Sequence, residues 1–432
     1  MQNRLFYIAY NLVLVFAYPV FWVVSFLNVK LRDGLSGQRE IRENLSRFNA
    51  RRVSGRSVIW LHAASAGEFE QMKPLISRLA GDERYHLVQT VTSPTIYLKI
   101  FTDKRFDAIL YLPWDLPWRV SRFVRRLQPT IFINTRHDLW PNLLRTLKRE
   151  KIPSILINAN LYGSSKRLRP VWKRMNRILF NQIDHIFTGT ERLADNLRQL
   201  YSGPIGVVGD TRFDQVWERA EQNQQIWFSP SVIRDRKVVI YGSVVASDLD
   251  IVSTAIGTSV RDNDGVLHVV VPHEVGEREL VPWEVSFFRQ NVKSARYTEI
   301  SAYAGEPVLI WNNMGNLADL YKHAHLAYVG AGFSTGVHSV TEPAIYGVPA
   351  AHGPAYDLLD EAIELVNLGI STVVYSSGDL TRFLHFVNDP AVLAQKRTAL
   401  ETFTHIYLGA TDRILAALQA YLYSAGHRKN RF

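Results

Sequence analysis

Chemistry-bearing residues in this sequence gather where apolar runs give way to amphipathic ones. Glu68, in WLHAASAGEFE (Trp60–Glu70), follows a β-branched run and opens an amphipathic stretch, with small Ser65, Ala66 and Gly67 beside it. A carboxylate placed there can take a proton from a bound ligand, or it can simply compensate a helix dipole. Asp138, in NTRHDLWPN, occupies a similar junction as a second working carboxylate or as an N-cap, with His137 beside it as a polar loop residue. Arg212, in VVGDTRFD, can meet a phosphate or a developing anion, or pair with a surface carboxylate.

Further along, Gly242 and Ser243 follow KVVIY, His273 lies in VVVPHE, and Met314, Gly315 and Asn316 stand at a helix start. The loop VGAGFSTGVHSVTEP is the densest candidate: Gly330, Gly332 and Gly336 would let backbone N–H groups approach an anion, and Glu342 suits ribose hydroxyls. It matches neither the dinucleotide fingerprint nor a P-loop. Asp248-Leu249-Asp250 reads as a helix start more readily than as a metal site, and the 13 histidines show no ligand spacing.

The elements that must position these residues are short apolar strands alternating with amphipathic helices. SVIWLH, YHLVQTV, TIFIN, PSILINA, HIFTGT and PIGVVG read as strands of a first block. A polar stretch, QVWERAEQNQQIWFSPSVIRDR, reads as a linker. KVVIYGS, HVVVPHE, EPVLIW and LAYVGAG then restart the same pattern. Continuous apolar strands separated by helices imply parallel sheets covered on both faces. Two such blocks imply an α/β protein with two doubly wound, Rossmann-like domains facing a cleft, with ligands at the C-terminal ends of the strands. TDRILAALQAYLYSA reads as a terminal helix.

The 432 residues exceed one ordinary core, and the absence of cysteine excludes disulfides, thiolate catalysis and Cys-ligated metals. A net charge of +10 is spread over clusters at 30–56, 119–126, 145–151 and 166–177. These read as solvated helix faces or as a surface facing anionic lipid or phosphorylated substrate, not as a nucleic-acid-binding arm. No charge occurs between Arg4 and Lys30. A helix of that length spans about 37 Å, enough for a single membrane anchor; a helix lying flat on the membrane is the alternative. The basic residues that follow it place the rest of the chain on the cytoplasmic side.

Together, WLHAASAGE, DLWPNL with INANL downstream, GDTRFD, MGNLADLY with AYVGAGF, and GVHSVTEPAIYGVPAAHGP resemble the bacterial transferases of 3-deoxy-D-manno-octulosonic acid (Kdo), in the family's order and over nearly the whole chain. The resemblance implies a GT-B glycosyltransferase. Its parts would be an anchor at 1–30, an acceptor-binding domain at 31–222, a CMP-sugar-binding domain at 223–410 and a C-terminal helix at 411–432. It implies an inverting, metal-independent transfer of Kdo from CMP-Kdo to a lipid A precursor (lipid IVA), with no cofactor, at the inner membrane beside anionic lipid. Glu68 matches the family's catalytic base. Asp138 falls where the family has Glu and Arg212 where it has Lys, both assigned to transition-state stabilisation. The CMP-binding positions correspond to Gly242 and Ser243, to Pro272 and His273, to Met314, Gly315, Asn316 and Leu317, and to His338, Ser339, Val340, Thr341 and Glu342. This chain lacks the family's Arg between Pro272 and His273 and carries Ser339 in place of Asn, which marks a divergent branch. A GT-B enzyme using another nucleotide sugar, a CMP-sugar-binding protein without turnover, and an epimerase of similar fold are the alternatives.

Overall fold

A computed structural model describes residues 2–26, 29–222, 225, 227–262 and 265–429. The chain divides into two compact units, Met1–Gln215 with Tyr407–Phe432, and Val216–Ile406.

In unit 1 the strands are β1 (Ser57–Ala63), β2 (Tyr85–Val91), β3 (Ala108–Tyr111), β4 (Ile131–Thr135), β5 (Ser154–Ala159), β6 (His185–Thr188) and β7 (Ile205–Val207). They form one seven-stranded sheet in the order β3-β2-β1-β4-β5-β6-β7, and the pairs are parallel. Helices α1 (Gln2–Ser25) and α2 (Val29–Arg51) precede the sheet. Between and after the strands run α3 (Ala66–Leu79), α4 (Pro94–Ile100), α5 (Pro117–Leu127), α6 (Pro141–Arg149), α7 (Pro170–Phe180), α8 (Glu191–Arg198) and α9 (Thr211–Gln222). β1 is buried almost end to end, and so are β2, β4 and β5, as expected of strands covered on both faces.

Unit 2 repeats the plan with β8 (Lys237–Val244), β9 (Val266–Pro272), β10 (Ser294–Arg296), β11 (Val308–Ile310), β12 (Leu326–Val329), β13 (Ala350–His352) and β14 (Thr372–Val373). Their order is β10-β11-β9-β8-β12-β13-β14, again with parallel pairs. The two doubly wound sheets agree with the expected fold class.

The expected domain limit at 222/223 touches residue 223, which lies outside the described residues. The units part after Gln215, inside α9, and the C-terminal helix Ala410–Lys429 belongs to unit 1. Asp214 explains the attachment. Buried to 4% exposure, it accepts the N–H groups of Gly409 and Thr411, each at 2.7 Å, and the Thr411 hydroxyl at 2.6 Å. It caps the C-terminal helix from a distance, and Phe213 stacks on Tyr407 at 4.6 Å. Asp214→Ala strands two buried N–H groups, so unit 1 is expected to lose about 2–4 kcal/mol of stability. The urea midpoint of the purified variant measures this.

α1 is long and apolar enough to cross a membrane. One of its faces, however, rests on unit 1. Tyr7 is buried beneath the Arg145 guanidinium, 4.4 Å from its ring. The Tyr10 hydroxyl donates to Asp115 at 3.0 Å, and the Asn142 side chain donates to Asn11 at 2.7 Å. Tyr18 meets Trp114 edge to face at 4.8 Å.

Candidate active site

The C-terminal end of β1 carries the first half of the site. Ser65 is the N-cap of α3, and Glu68 completes a capping box with it. Glu68 Oε2 accepts from Ala64 N–H at 2.6 Å and Ser65 N–H at 3.2 Å. The helix-start role is therefore real, and it fixes the carboxylate at the mouth of the strand. Burial raises the Glu68 carboxyl above its ordinary range; the Ala64 N–H opposes this and the charge of Asp138 adds to it.

Asp138 is not the cap of the helix it precedes. That task falls to Asp115, whose two oxygens accept Asn142 and Leu143 N–H at 2.8 Å each. Burial pushes Asp115 up to about 7, against the pull of those two N–H groups. Asp138 turns instead to β1, where its Oδ2 meets His62 Nε2 at 2.8 Å and accepts from Trp140 Nε1 at 3.0 Å. His62 is wholly buried and its Nδ1 meets Thr90 Oγ1 at 2.9 Å. An ionised Asp138 selects the tautomer with the proton on Nε2. Burial alone would raise Asp138, but the bond and charge of His62, then Trp140 and Arg167, hold it below the ordinary range. Two interacting carboxyl groups are thus pushed in opposite directions, which suits one for accepting a proton and the other for remaining an anion. His137 does neither. Burial drives it down to about 3, with Arg167 and Arg136 adding to the shift, and it stays a neutral loop residue.

Gln71, one turn beyond Glu68 on α3, ties this corner to the start of α9. Its side-chain oxygen accepts from Arg136 Nε at 3.1 Å, and its carbonyl accepts from the Thr211 hydroxyl at 2.5 Å. Asn158 fixes Thr211 from the other side, at 2.7 Å and 3.2 Å. Arg212 folds onto Asp210 through Nε and Nη2, each 3.2 Å from Oδ2. It sits in the first turn of α9, its side chain 19% exposed. The expected surface ion pair is present, but within a half-buried network. His62, Gln71 and Asn158 carry this geometry with Arg136, and these three did not stand out in the sequence. The one available signal was a histidine inside an otherwise apolar strand.

Unit 2 gathers its candidates around β8. A backbone irregularity at Gly242/Val244 leaves Ser243 at φ +52°. A Cβ on Gly242 would run into the Tyr321 hydroxyl and Leu317, so Gly242 and Leu317 are immediate neighbours. His273 donates its N–H to Val244 O at 2.9 Å, and its ring lies 4.6 Å from that of His338. Pro272 ends β9 just before it. Arg219 of α9 grips Asp319 at 3.1 and 3.0 Å and donates to Gly315 O at 2.9 Å, fixing the 314–320 turn. Glu342 lies beside this ion pair. Burial pushes it up to about 7; Arg219 opposes the shift and Asp319 adds to it. Thr341 Oγ1 is buried without a hydrogen-bond partner. Met314 is exposed and Asn316 stands at the N-cap of Leu317–Leu320, while Ser339 and Val340 lead into the helix Thr341–Ile345.

One expectation is corrected here. Gly330 and Gly332 do not open the backbone to an anion: a Cβ on Gly332 would lie 2.5 Å from Gly353 N, and one on Gly330 would strike the Ser243 carbonyl. They serve close backbone packing. Gly315, at φ +90°, has nothing within 4 Å of its missing Cβ and leaves open space beside the 314–320 turn. Asp248, from the D-x-D, is fully buried and accepts from Val245 N, Ala331 N and the Tyr328 hydroxyl at 2.8–2.9 Å. It holds the glycine-rich loop in place, in keeping with the helix-start reading.

Two Rossmann-like units in one chain, with paired carboxylates in one and a strand-end loop cluster in the other, define a protein of the GT-B fold. The family described as 3-deoxy-D-manno-octulosonic-acid transferase (kdotransferase) matches residues 39–215. A 3-deoxy-D-manno-octulosonic acid transferase of Aquifex aeolicus is 23% identical over 300 residues, covering 69% of this chain and 76% of that protein. One of Chlamydophila psittaci is 25% identical over 377 residues, covering 84% and 85%. Among solved structures, a putative UDP-N-acetylglucosamine 2-epimerase from Listeria monocytogenes shares the fold, with a TM-score of 0.61 at 14% identity over 85% of this chain and 97% of that one. The first unit thus matches the Kdo transferase family model over 39–215, and the chain is similar at 23–25% identity to Kdo transferases over more than two thirds of its length.

Proposed function

We propose that the protein moves Kdo from CMP-Kdo to a hydroxyl of a lipid A precursor, lipid IVA, with inversion and without a metal or cofactor, at the cytoplasmic face of the inner membrane. The observation that carries this reading is the pair Glu68 and Asp138, both at strand ends of unit 1 and pushed apart in acidity. An acceptor hydroxyl has a pKa far above 7, so attack needs a positioned base, and Glu68 is proposed for it. The new bond forms between the acceptor oxygen and the anomeric carbon as the bond to the CMP phosphate breaks. The proton passes to Glu68 and the electron pair leaves with CMP. Asp138, kept ionised by His62 and Trp140, offsets the positive charge growing on the sugar. Arg212 is proposed to stabilise the departing phosphate, which requires it to turn from Asp210.

Unit 2 is proposed to hold CMP. Gly242, Ser243, Pro272, His273 and His338 would line the phosphate side; Met314, Gly315, Asn316 and Leu317 would supply open backbone. Ser339, Val340, Thr341 and Glu342 would meet the ribose. The helices at Leu317–Leu320 and Thr341–Ile345 are single turns, so individual N–H dipoles rather than a long macrodipole would act there.

Release of CMP or another nucleotide from a panel of activated sugars, measured with lipid IVA as acceptor, tests the donor. CMP-Kdo alone should be consumed; preferential use of a different nucleotide sugar overturns the assignment. A pH profile adds a second check. A base works only when ionised, so kcat/KM should fall as pH drops through the raised Glu68 pKa, with its acid limb above the ordinary carboxylate range. An acid limb confined to the ordinary range would contradict the role of Glu68.

A further inference from the structure

We infer that unit 1 meets an anionic lipid bilayer side-on: α1 lies in the membrane plane instead of crossing it, and an arginine-lined groove beside it takes lipid phosphate. The contacts of α1 decide the first part. Tyr7, Tyr10, Asn11 and Tyr18 rest on unit 1, and the Tyr10 partner, Asp115, is 3% exposed. A helix holding these contacts cannot have residues 7–18 in the hydrocarbon core. Seven residues remain from Pro19 to Ser25, about 10 Å of helix against a core of about 30 Å. The outward face is a lipid-facing stripe. Leu5, Ile8, Leu12, Phe16, Val20 and Val23 recur at three- and four-residue steps and are 54–73% exposed.

The groove lies between α2 and α5, with a volume of about 400 Å³. Arg39 and Arg42 line it from α2, and Arg119, Arg122 and Arg126 from α5, over an apolar floor that includes Leu45 and Phe123. Among the described residues none of the five guanidinium groups has an ion pair, and Arg119 Nη1 is buried without a hydrogen-bond partner. Nearby Glu43 is taken by Arg47. Five like charges around one space lack an anion. The groove is continuous with α1: Tyr18 packs on Trp114, whose backbone N–H donates to Gln38 Oε1 at 3.0 Å, and Gln38 lines the groove. Trp118, 58% exposed beside Arg119, adds an interfacial aromatic ring. An apolar stripe flanked by unpaired cations fits a phospholipid surface, which supplies acyl chains and phosphates together.

Flotation of the full-length protein with phosphatidylcholine vesicles, with or without phosphatidylglycerol, tests the surface. Phosphatidylglycerol should strengthen binding in a salt-sensitive way. Arg122→Glu with Arg126→Glu, both exposed, should weaken that gain by at least about tenfold while leaving the melting temperature unchanged. Phe16→Asp should weaken binding to both vesicles. Equal binding of the double variant overturns the groove assignment, as does binding of inorganic phosphate without any phosphatidylglycerol preference. The chain has no cysteine, so a Leu5→Cys protein reports the orientation of α1. In intact spheroplasts a membrane-impermeant maleimide should leave it unlabelled, and detergent should expose it. Labelling in intact spheroplasts would show a spanning helix and overturn the in-plane arrangement. Neither test involves a residue of the proposed catalytic machinery, so its failure leaves the transfer reaction standing.

Discussion

Glu68→Gln is expected to lower kcat by about 10²–10⁴-fold while leaving the protein folded and able to bind CMP-Kdo. The size follows from the loss of the only group proposed to receive the acceptor proton. The retained fold follows from the capping box: glutamine at the third helical position can still accept the Ala64 N–H that Glu68 now binds at 2.6 Å. Glu68→Ala would mix two effects, because removing the cap costs a further ~1 kcal/mol of helix stability. Comparing the two variants therefore separates base from cap. Steady-state rates, melting temperature and CMP-Kdo affinity measured on both give the answer. Full activity in Glu68→Gln would leave the carboxylate only its structural task.

The second large effect is expected at Gly332. In Gly332→Ala the new methyl group would lie 2.5 Å from Gly353 N and 2.7 Å from its Cα, both backbone atoms that no side-chain rotation can move. β12 runs into this turn and β13 runs out to Gly353, so relief requires shifting two strand ends of one sheet. A loss of about 3 kcal/mol or more in unit 2 is expected, at the upper end for an added methyl group. Gly315→Ala provides the contrast. Its Cβ meets nothing within 4 Å, and the cost is limited to about 1–2 kcal/mol for holding φ +90°. Chemical denaturation of both variants checks the ranking. The reverse order would mean that the glycine loop is open at Gly332 instead of packed against Gly353.

Much of the architecture is legible in the residues. Strands such as Val58–Leu61 and Val238–Tyr241 are unbroken apolar runs, and only sheets covered on both faces bury such runs completely. What escapes is short or peripheral. β3, β10, β13 and β14, each of four residues or fewer, do not stand out in the sequence. The polar stretch that reads as a linker begins as the second half of α9, whose Arg219 pairs with Asp319, a partner a hundred residues away.

The site divides along the same line. Glu68 and Asp138 are visible because a carboxylate directly after an apolar run falls at a strand end. His62 is not, because it sits within the run it interrupts. The GDTRFD segment is the instructive case. Read in sequence it offers Arg212 as an anion partner, yet in the fold Thr211 binds α3 and β5, Phe213 stacks on Tyr407, and Asp214 holds the start of the C-terminal helix. A motif with this much tertiary work can be distinctive without every residue touching substrate. The glycine loop teaches the converse: whether a missing Cβ makes room for ligand or for a neighbouring backbone depends on strands that adjoin only after folding.

The transfer reaction is tested most directly by incubating the purified full-length protein with CMP-Kdo and lipid IVA and weighing the lipid product. The expected result is lipid IVA heavier by whole Kdo residues, with inverted anomeric configuration, and no such product from Glu68→Gln. Lipid IVA recovered unchanged while CMP-Kdo binds would contradict transfer and leave a binding protein.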